Sequence, residues 1–301
     1  MEIREKLCLC EIVRICFFPA QNQYAEMLNA EQFYKENQLT KGNAEQNVSE
    51  YMHLMTWKPG ERILDLGCGP GTNAAEVLLP RLPDDFEILV GADISQPMLQ
   101  IASSQYKHPK LKFLHLDLSK NIPADSQFRT PGFDKIFGFY ILHWIPDQRI
   151  AITNIYNMLR PGGQAVLSVL TKSDIVAAMI NQSKRNEWQS YVKDVEKAVA
   201  PYQHSKEPVE ELRSLYKDAG FEIVDIKWRE LSFDFKLTSK MKDFMTGVNP
   251  FHPNIPKELQ DIYMTDFLME LTKAKFKREF IDNDNITETK YEQTAALLRK
   301  T

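Results

Sequence analysis

The stretch "LDLGCGPGT" (64–72) sets glycines at 67, 69 and 71 behind a short apolar run and ahead of a helix-forming one. Glycine at such a strand-to-helix turn lets the backbone bend tightly and lets a ligand come within contact distance. Alone, the loop serves more than one nucleotide-shaped ligand. Two further acids narrow the choice. Asp93 closes the next strand-like run, about twenty residues on, where a carboxylate can accept from both hydroxyls of a ribose. Asp117 closes the third, where a carboxylate can accept from an adenine amino group. With Asp65 just ahead of the glycines, acids mark three successive strand ends on one edge. That ordered set suits a nucleoside carrying a cationic group better than a pyrophosphate. A pyrophosphate loop also asks for glycine where this chain has Thr72.

The stretch "FYILHWIPD" (139–147) raises a second question. Aromatic residues run up to a His–Trp pair at the end of a fourth strand, the place where ligands bind in open α/β sheets. Trp144 can donate one indole N–H. His143 can donate a second bond, or act as a base toward a hydroxyl or an amine. Each has a structural reading too: Trp144 as packing under a cap, His143 as an edge histidine satisfied by main chain. Cys68, inside the glycine loop, reads as simply small.

These residues need a scaffold, and the alternation between 60 and 170 supplies one. "RILDL" (62–66), "EILVGAD" (87–93), "LKFLHLD" (111–117), "FDKIFGFY" (133–140) and "QAVLSVL" (164–170) read as strands. Between them lie helical runs. The first, from Asn73, has that residue as a candidate cap with Glu76 three positions on. The second is capped by Ser95, with Pro97 in its first turn. The third covers 147–160, capped by Asp147, with Ala151, Ile155, Met158 and Leu159 on one face, and "RPGG" stops it. Alternation of this kind means a mostly parallel sheet with helices on both faces. After 171 the spacing predicts helices over 173–199 and 208–219, the latter closed by Gly220. A strand over 221–228 follows, then a Phe- and Met-rich segment over 233–280 that can serve as helical core and as the wall of an apolar pocket. "KYEQTAALLRK" reads as a last strand folding back onto the sheet. The expected organisation is one domain over 27–301, with a cofactor core at 60–170, substrate-cap helices and a strand at 171–280 and a final strand at 286–301.

The totals exclude several classes. The formal net charge of −4 comes with both signs spread along the chain, so a nucleic-acid partner finds no basic footprint. The apolar runs are too short to span a bilayer. The opening "MEIREKLCLCEIVRICFFPA" is interrupted by Glu11 and Arg14, unlike a secretory signal. Cys8, Cys10 and Cys16 have no nearby His to complete a zinc site, and scattered thiols fit a reducing, cytoplasmic compartment. No metal is expected.

"ILDLGCGPGT", "GADIS", "LDL" and "LRPGG" resemble the successive motifs of the class I S-adenosylmethionine-dependent methyltransferases, over roughly residues 60–170. The resemblance implies a Rossmann-like sheet with an antiparallel C-terminal strand. It implies that Asp65, Gly67, Cys68, Gly69 and Gly71 line the methionine part of the cofactor, with Asp93 and Ile94 at the ribose. Asp117 and Leu118 would then hold the adenine, with Tyr140 beside the transferring methyl. A narrower resemblance, from Met27 on, is carried by "FYILHWIPDQ", "NIYNMLRPGG", "EWQSYVKDVEKAVAPYQ", "DAGF" and "VNPFHPNIPKEL". These look like the arthropod juvenile hormone acid methyltransferases, which esterify the carboxylate of a farnesyl-derived acid. It implies Trp144 as a carboxylate anchor and residues 1–26 as an extension, and His143 stands beside that anchor as a candidate second donor. Thr40 stands where that family carries an anchoring Gln, and its hydroxyl reaches less far than an amide. Three other readings stay open: a methyltransferase for aconitate-like polyacids, a nicotinamide-dependent oxidoreductase, and a cofactor-binding module without turnover.

Overall fold

The central strand of the sheet is the one that carries the glycine loop. In the computed structural model, which describes residues 30–36, 38–193, 195, 201–234, 238–273 and 288–301, β1 (Arg62–Leu66) lies between β2 (Ile88–Asp93) and β4 (Phe133–Phe139). The full order is β3-β2-β1-β4-β5-β7-β6, with β3 at Leu111–His115, β5 at Leu159–Ser173, β6 at Phe221–Asp234 and β7 at Glu288–Lys300. The first five strands are parallel. β7 enters between β5 and β6 and runs antiparallel to both. The fold class is therefore the one expected: a mostly parallel Rossmann-like sheet with an antiparallel C-terminal strand. The order reverses between β1 and β4, and ligands in such sheets bind at that reversal, beyond the carboxyl ends of the strands.

Strands packed on both faces read as apolar runs rather than alternating ones, and β1 and β4 behave so: Leu64, Leu66 and Ile136 face one core, Ile63, Phe137 and Phe139 the other. A third cluster, from Met179, Trp188, Phe244, Met245, Tyr263 and Phe267 among others, lies over the carboxyl edge as a cap. The Phe- and Met-rich segment thus supplies cap core, as α7 (Thr238–Val248) and α8 (Gln260–Lys273). At the opposite edge, Lys135 and Glu61 form a buried ion pair at 2.7 Å, with the ammonium also 5.3 Å from the Trp57 ring.

Two helices open the described chain: α1 (Ala30–Glu36) and α2 (Gln38–Tyr51). Next come α3 (Gln96–Gln105), α4 (Gln148–Met158), α5 (Asp174–Ser183) and α6 (Pro208–Asp218). Ser95 and Asp147 cap α3 and α4 by accepting from Met98 N and Ile150 N, as their sequences predict. Asn73 does not act as a cap. Thr72 holds that position without a side-chain cap bond to the helix, and a π-helical turn over Asn73–Leu78 replaces the expected α-helix. Glu76 instead binds Lys41 and the Tyr106 hydroxyl, both at 2.6 Å. The helix expected over 173–199 ends at Ser183, and a run of turns with the buried Trp188 follows it. β3 stops at His115, so Asp117 lies just past the strand. Residues 1–26, with Cys8, Cys10 and Cys16, lie outside the described residues. No helix among the described residues is long and apolar enough to cross a membrane.

Candidate functional site

The turn after β1 is shaped by its glycines. Gly67, Gly69 and Gly71 all have positive φ, at 67°, 53° and 85°. A Cβ on Gly67 would stand 2.8 Å from Ile141 Cβ, and one on Gly71 2.8 Å from both Ala102 Cβ and the Phe113 ring. Those two glycines are there for close packing. Gly69 is different: its nearest neighbour is the Phe33 ring at 3.7 Å, so its open face belongs to a cleft that α1 overhangs.

That cleft encloses about 250 Å³ at the carboxyl edge of the sheet. Gly67, Cys68, Gly69, Asp93, Ile94, Asp117, Leu118, Tyr140, His143, Trp144 and Thr40 all line it, drawn together from separate stretches of the chain. Asp65 and Gly71 do not line it. Asp65 sits behind the loop, 1% exposed, with Oδ2 lacking any hydrogen-bond partner. Burial raises its pKa well above the ordinary carboxylate range, and neighbouring Asp93 raises it further.

Asp93 supports the loop directly. Its Oδ2 accepts from Gly69 N at 2.9 Å and its Oδ1 from Ser95 N at 2.8 Å. Burial raises its pKa, and the bonds from Ser95 and Gly69 oppose the rise. Each oxygen keeps a lone pair for a further donor. Asp117 accepts from Ser119 N and Oγ and pairs with Lys120 at 2.9 Å.

On the other wall, Tyr140 holds a left-handed backbone at φ 58°, uncommon for a bulky residue. Its ring meets His143 edge-on at 6.2 Å, and His143 lies 5.0 Å from Trp144, centroid to centroid. His143 is 9% exposed, its Nδ1 has no partner, and burial lowers its pKa to about 3. The imidazole is neutral at physiological pH. Both residues ride on a 3-10 turn, Leu142–Trp144, which the buried Gln148 pins by donating to the carbonyls of Leu142 (2.6 Å) and Ile145. Gln148 was not foreseen from sequence. Nor were Phe33, Leu39, Ile175, Val176 and Tyr291, which line the cleft from α1, α2, α5 and β7.

A sheet of this order, with a glycine loop at its reversal and acids at neighbouring strand ends, defines a class I S-adenosylmethionine-dependent methyltransferase. The family model described as "Methyltransferase domain" matches residues 40–226. A juvenile hormone acid O-methyltransferase of Bombyx mori is 30% identical over 243 residues, 80% of this chain and 85% of that protein. Its counterpart in Drosophila melanogaster is 28% identical over 91% of this chain and 93% of its own. A trans-aconitate 2-methyltransferase of Variovorax paradoxus is 27% identical over 71% and 78%. Among solved structures, the YcgJ protein of Bacillus subtilis superposes with a TM-score of 0.56 at 15% identity, covering 85% of this chain and 98% of its own. Phosphoethanolamine N-methyltransferase 2 of Haemonchus contortus, solved with S-adenosyl-L-methionine, gives 0.51 at 17% identity over 99% and 61%.

The chain belongs to the methyltransferase-domain family, in the group of the juvenile hormone acid O-methyltransferases. The oxidoreductase reading falls with that result. The cofactor is S-adenosylmethionine, and the cleft suits it: a buried carboxylate oxygen without a donor stands behind the loop, and Gly69 leaves open the space a side chain would fill.

Proposed function

We propose that this chain esterifies the carboxylate of a small apolar acid of the farnesoic or juvenile hormone acid type. The observation that carries the reading is the lining of the cleft: Leu39, Leu170, Ile175, Val176, Met179 and Phe244 form much of its wall, and no Lys or Arg among the described residues lines it. A polyacid of the aconitate type needs cationic partners for its several carboxylates, so that reading loses support. A single carboxylate on an apolar chain needs only neutral donors. The Trp144 indole N–H at the cleft wall is one, and the neutral His143 ring, with its unpartnered Nδ1, is a second.

In this reading Asp93 takes the ribose hydroxyls, Asp117 and Leu118 the adenine, and the loop from Gly67 to Gly69 the methionine part, with Asp65 behind it as counter-charge. Tyr140 stands beside the transferring methyl, and residues 27–301 act as one domain. The bound cofactor supplies an electrophilic sulfonium methyl. A carboxylic acid with a pKa of about 4 is already ionised at neutral pH, so no residue must take a proton. The protein's contribution is alignment by Trp144 and His143, and exclusion of water by the α5 and α7 side chains.

The test is a product assay over farnesoic acid, its epoxide, medium-chain fatty acids and polyacids. Methyl ester should form from the apolar acids alone. Trp144→Ala should raise KM for the acid by about tenfold or more, in line with a hydrogen bond to a charged group, with cofactor affinity unchanged. Cofactor binding without ester from any acid would point to the module without turnover. An unchanged KM would remove Trp144 from the site.

A further inference from the structure

Tyr140 reaches away from the loop into a line of buried amides. Its hydroxyl donates to Gln293 Oε1 at 2.9 Å. Gln293 Nε2 donates to Asn47 Oδ1 at 2.8 Å, and Asn47 Nδ2 donates to the Asn43 main-chain carbonyl at 2.8 Å. Asn47 and Gln293 are 0% and 1% exposed, so each must find its partners inside the protein. A side-chain amide can turn end for end without changing shape, and its orientation is set by what it touches. Here the last partner is a carbonyl oxygen, which can only accept. It obliges Asn47 to present Nδ2 to it and Oδ1 to Gln293. Gln293 must then offer Nε2 to Asn47 and Oε1 to Tyr140. The hydroxyl proton of Tyr140 is committed by a main-chain carbonyl that belongs to another element.

We propose that Asn47 and Gln293 are positioning residues that hold Tyr140 as a hydrogen-bond acceptor, so that the cleft meets its oxygen lone pairs and not its proton. A lone pair attracts a sulfonium and its polarised C–H groups. It repels a carboxylate, which leaves the acid to Trp144 and His143. The inference rests on the placing of Tyr140 beside the transferring methyl, and it adds the reason that the ring favours the charged cofactor over its neutral product. Neither Asn47 nor Gln293 lines the cleft, so both act through Tyr140.

The test is calorimetric titration of the apoprotein with S-adenosylmethionine and with S-adenosylhomocysteine, which differ in the methyl and its charge. Tyr140→Phe is expected to shrink the preference for the sulfonium about threefold. Gln293→Leu should shrink it equally, and the double variant no further than either alone. Asn47→Leu touches neither Tyr140 nor the cleft but frees the Gln293 amide to turn. It should move the ratio the same way, and it decides the matter if thermal melting shows Gln293→Leu unfolded. Additive losses in the double variant, or wild-type ratios in Gln293→Leu and Asn47→Leu, overturn the relay. An unchanged ratio in Tyr140→Phe overturns the placing of Tyr140 itself.

Discussion

A buried imidazole whose Nδ1 has no partner is tolerated only while it stays neutral, because an unpaired charge away from water costs far more than an unpaired N–H. His143 is held that way, its pKa lowered to about 3 by burial. Two consequences follow for the residue. As a donor it has no titration near neutrality, so the pH profile of kcat/KM should show no His143 inflection between about 5.5 and 8, and His143→Gln should leave the profile's shape unchanged. For stability, the folded pKa lies below the unfolded value of 6.5. The contribution is whole above that value and is lost as pH falls toward 3, since the unfolded chain takes up a proton the folded one refuses. One such group gives a slope of about 1.4 kcal/mol per pH unit. Chemical denaturation of wild type and His143→Gln should therefore converge by about 2 kcal/mol between about pH 6.5 and 5. Parallel curves would mean that the ring is protonated in the folded protein.

Among elements, the turns after α5 are tied to α8 around one buried tryptophan. The Trp188 indole donates to Asp266 Oδ2 at 2.8 Å, its ring packs edge-on against Tyr263 at 5.2 Å, and Arg185 reaches the same aspartate at 3.0 Å. Those contacts bind the turns after α5 to α8, and α5 carries Ile175, Val176 and Met179 into the cleft. Trp188→Ala should cost about 3–5 kcal/mol by denaturant melts and raise KM for the acid while cofactor affinity holds. Trp188→Phe, which keeps the packing and loses one bond, should cost about 1 kcal/mol. The sequence makes some of these elements plain and hides others. β1, β2 and β4 are legible because strands covered on both faces are continuous apolar runs, closed here by glycine, aspartate or an aromatic pair. α2 is not legible. Its inward residues are Asn43, Ala44, Asn47, Val48 and Tyr51, and the two asparagines break the apolar period. They can be buried only because β7, nearly the whole chain away, supplies Tyr291 and Gln293 as partners. The same distance hid Tyr291, whereas Asp93, Asp117 and Trp144 announce themselves by standing at strand ends.

At the scale of the whole molecule, three acids meet at the carboxyl edge of the sheet, with Lys120 paired to Asp117 beside them. The chain carries a formal charge of only −4, yet Asp93 and Asp117 line the cleft, Asp65 sits behind it, and no Lys or Arg among the described residues lines it. Burial raises the pKa of Asp65 and of Asp93, so a positive charge placed beside either carboxylate favours its ionised form. Low-dielectric walls focus such a field. A site of this kind admits a cation readily and resists an anion until the cation is in place. The acid substrate should therefore bind second, and its affinity should depend on the charge of what occupies the cofactor cleft. Titration of farnesoic acid into three forms of the protein measures this: apo, with S-adenosylhomocysteine, and with an unreactive analogue that bears an ammonium in place of the sulfonium. The acid should bind about tenfold tighter to the ammonium form than to the apo form, with the neutral product form between them. Raising salt from about 0.05 to about 0.5 M should narrow the gap, because screening weakens the cleft's field along with the attraction of the cation. Equal affinity in all three forms would show that the acids serve the cofactor alone and leave the order of binding to shape.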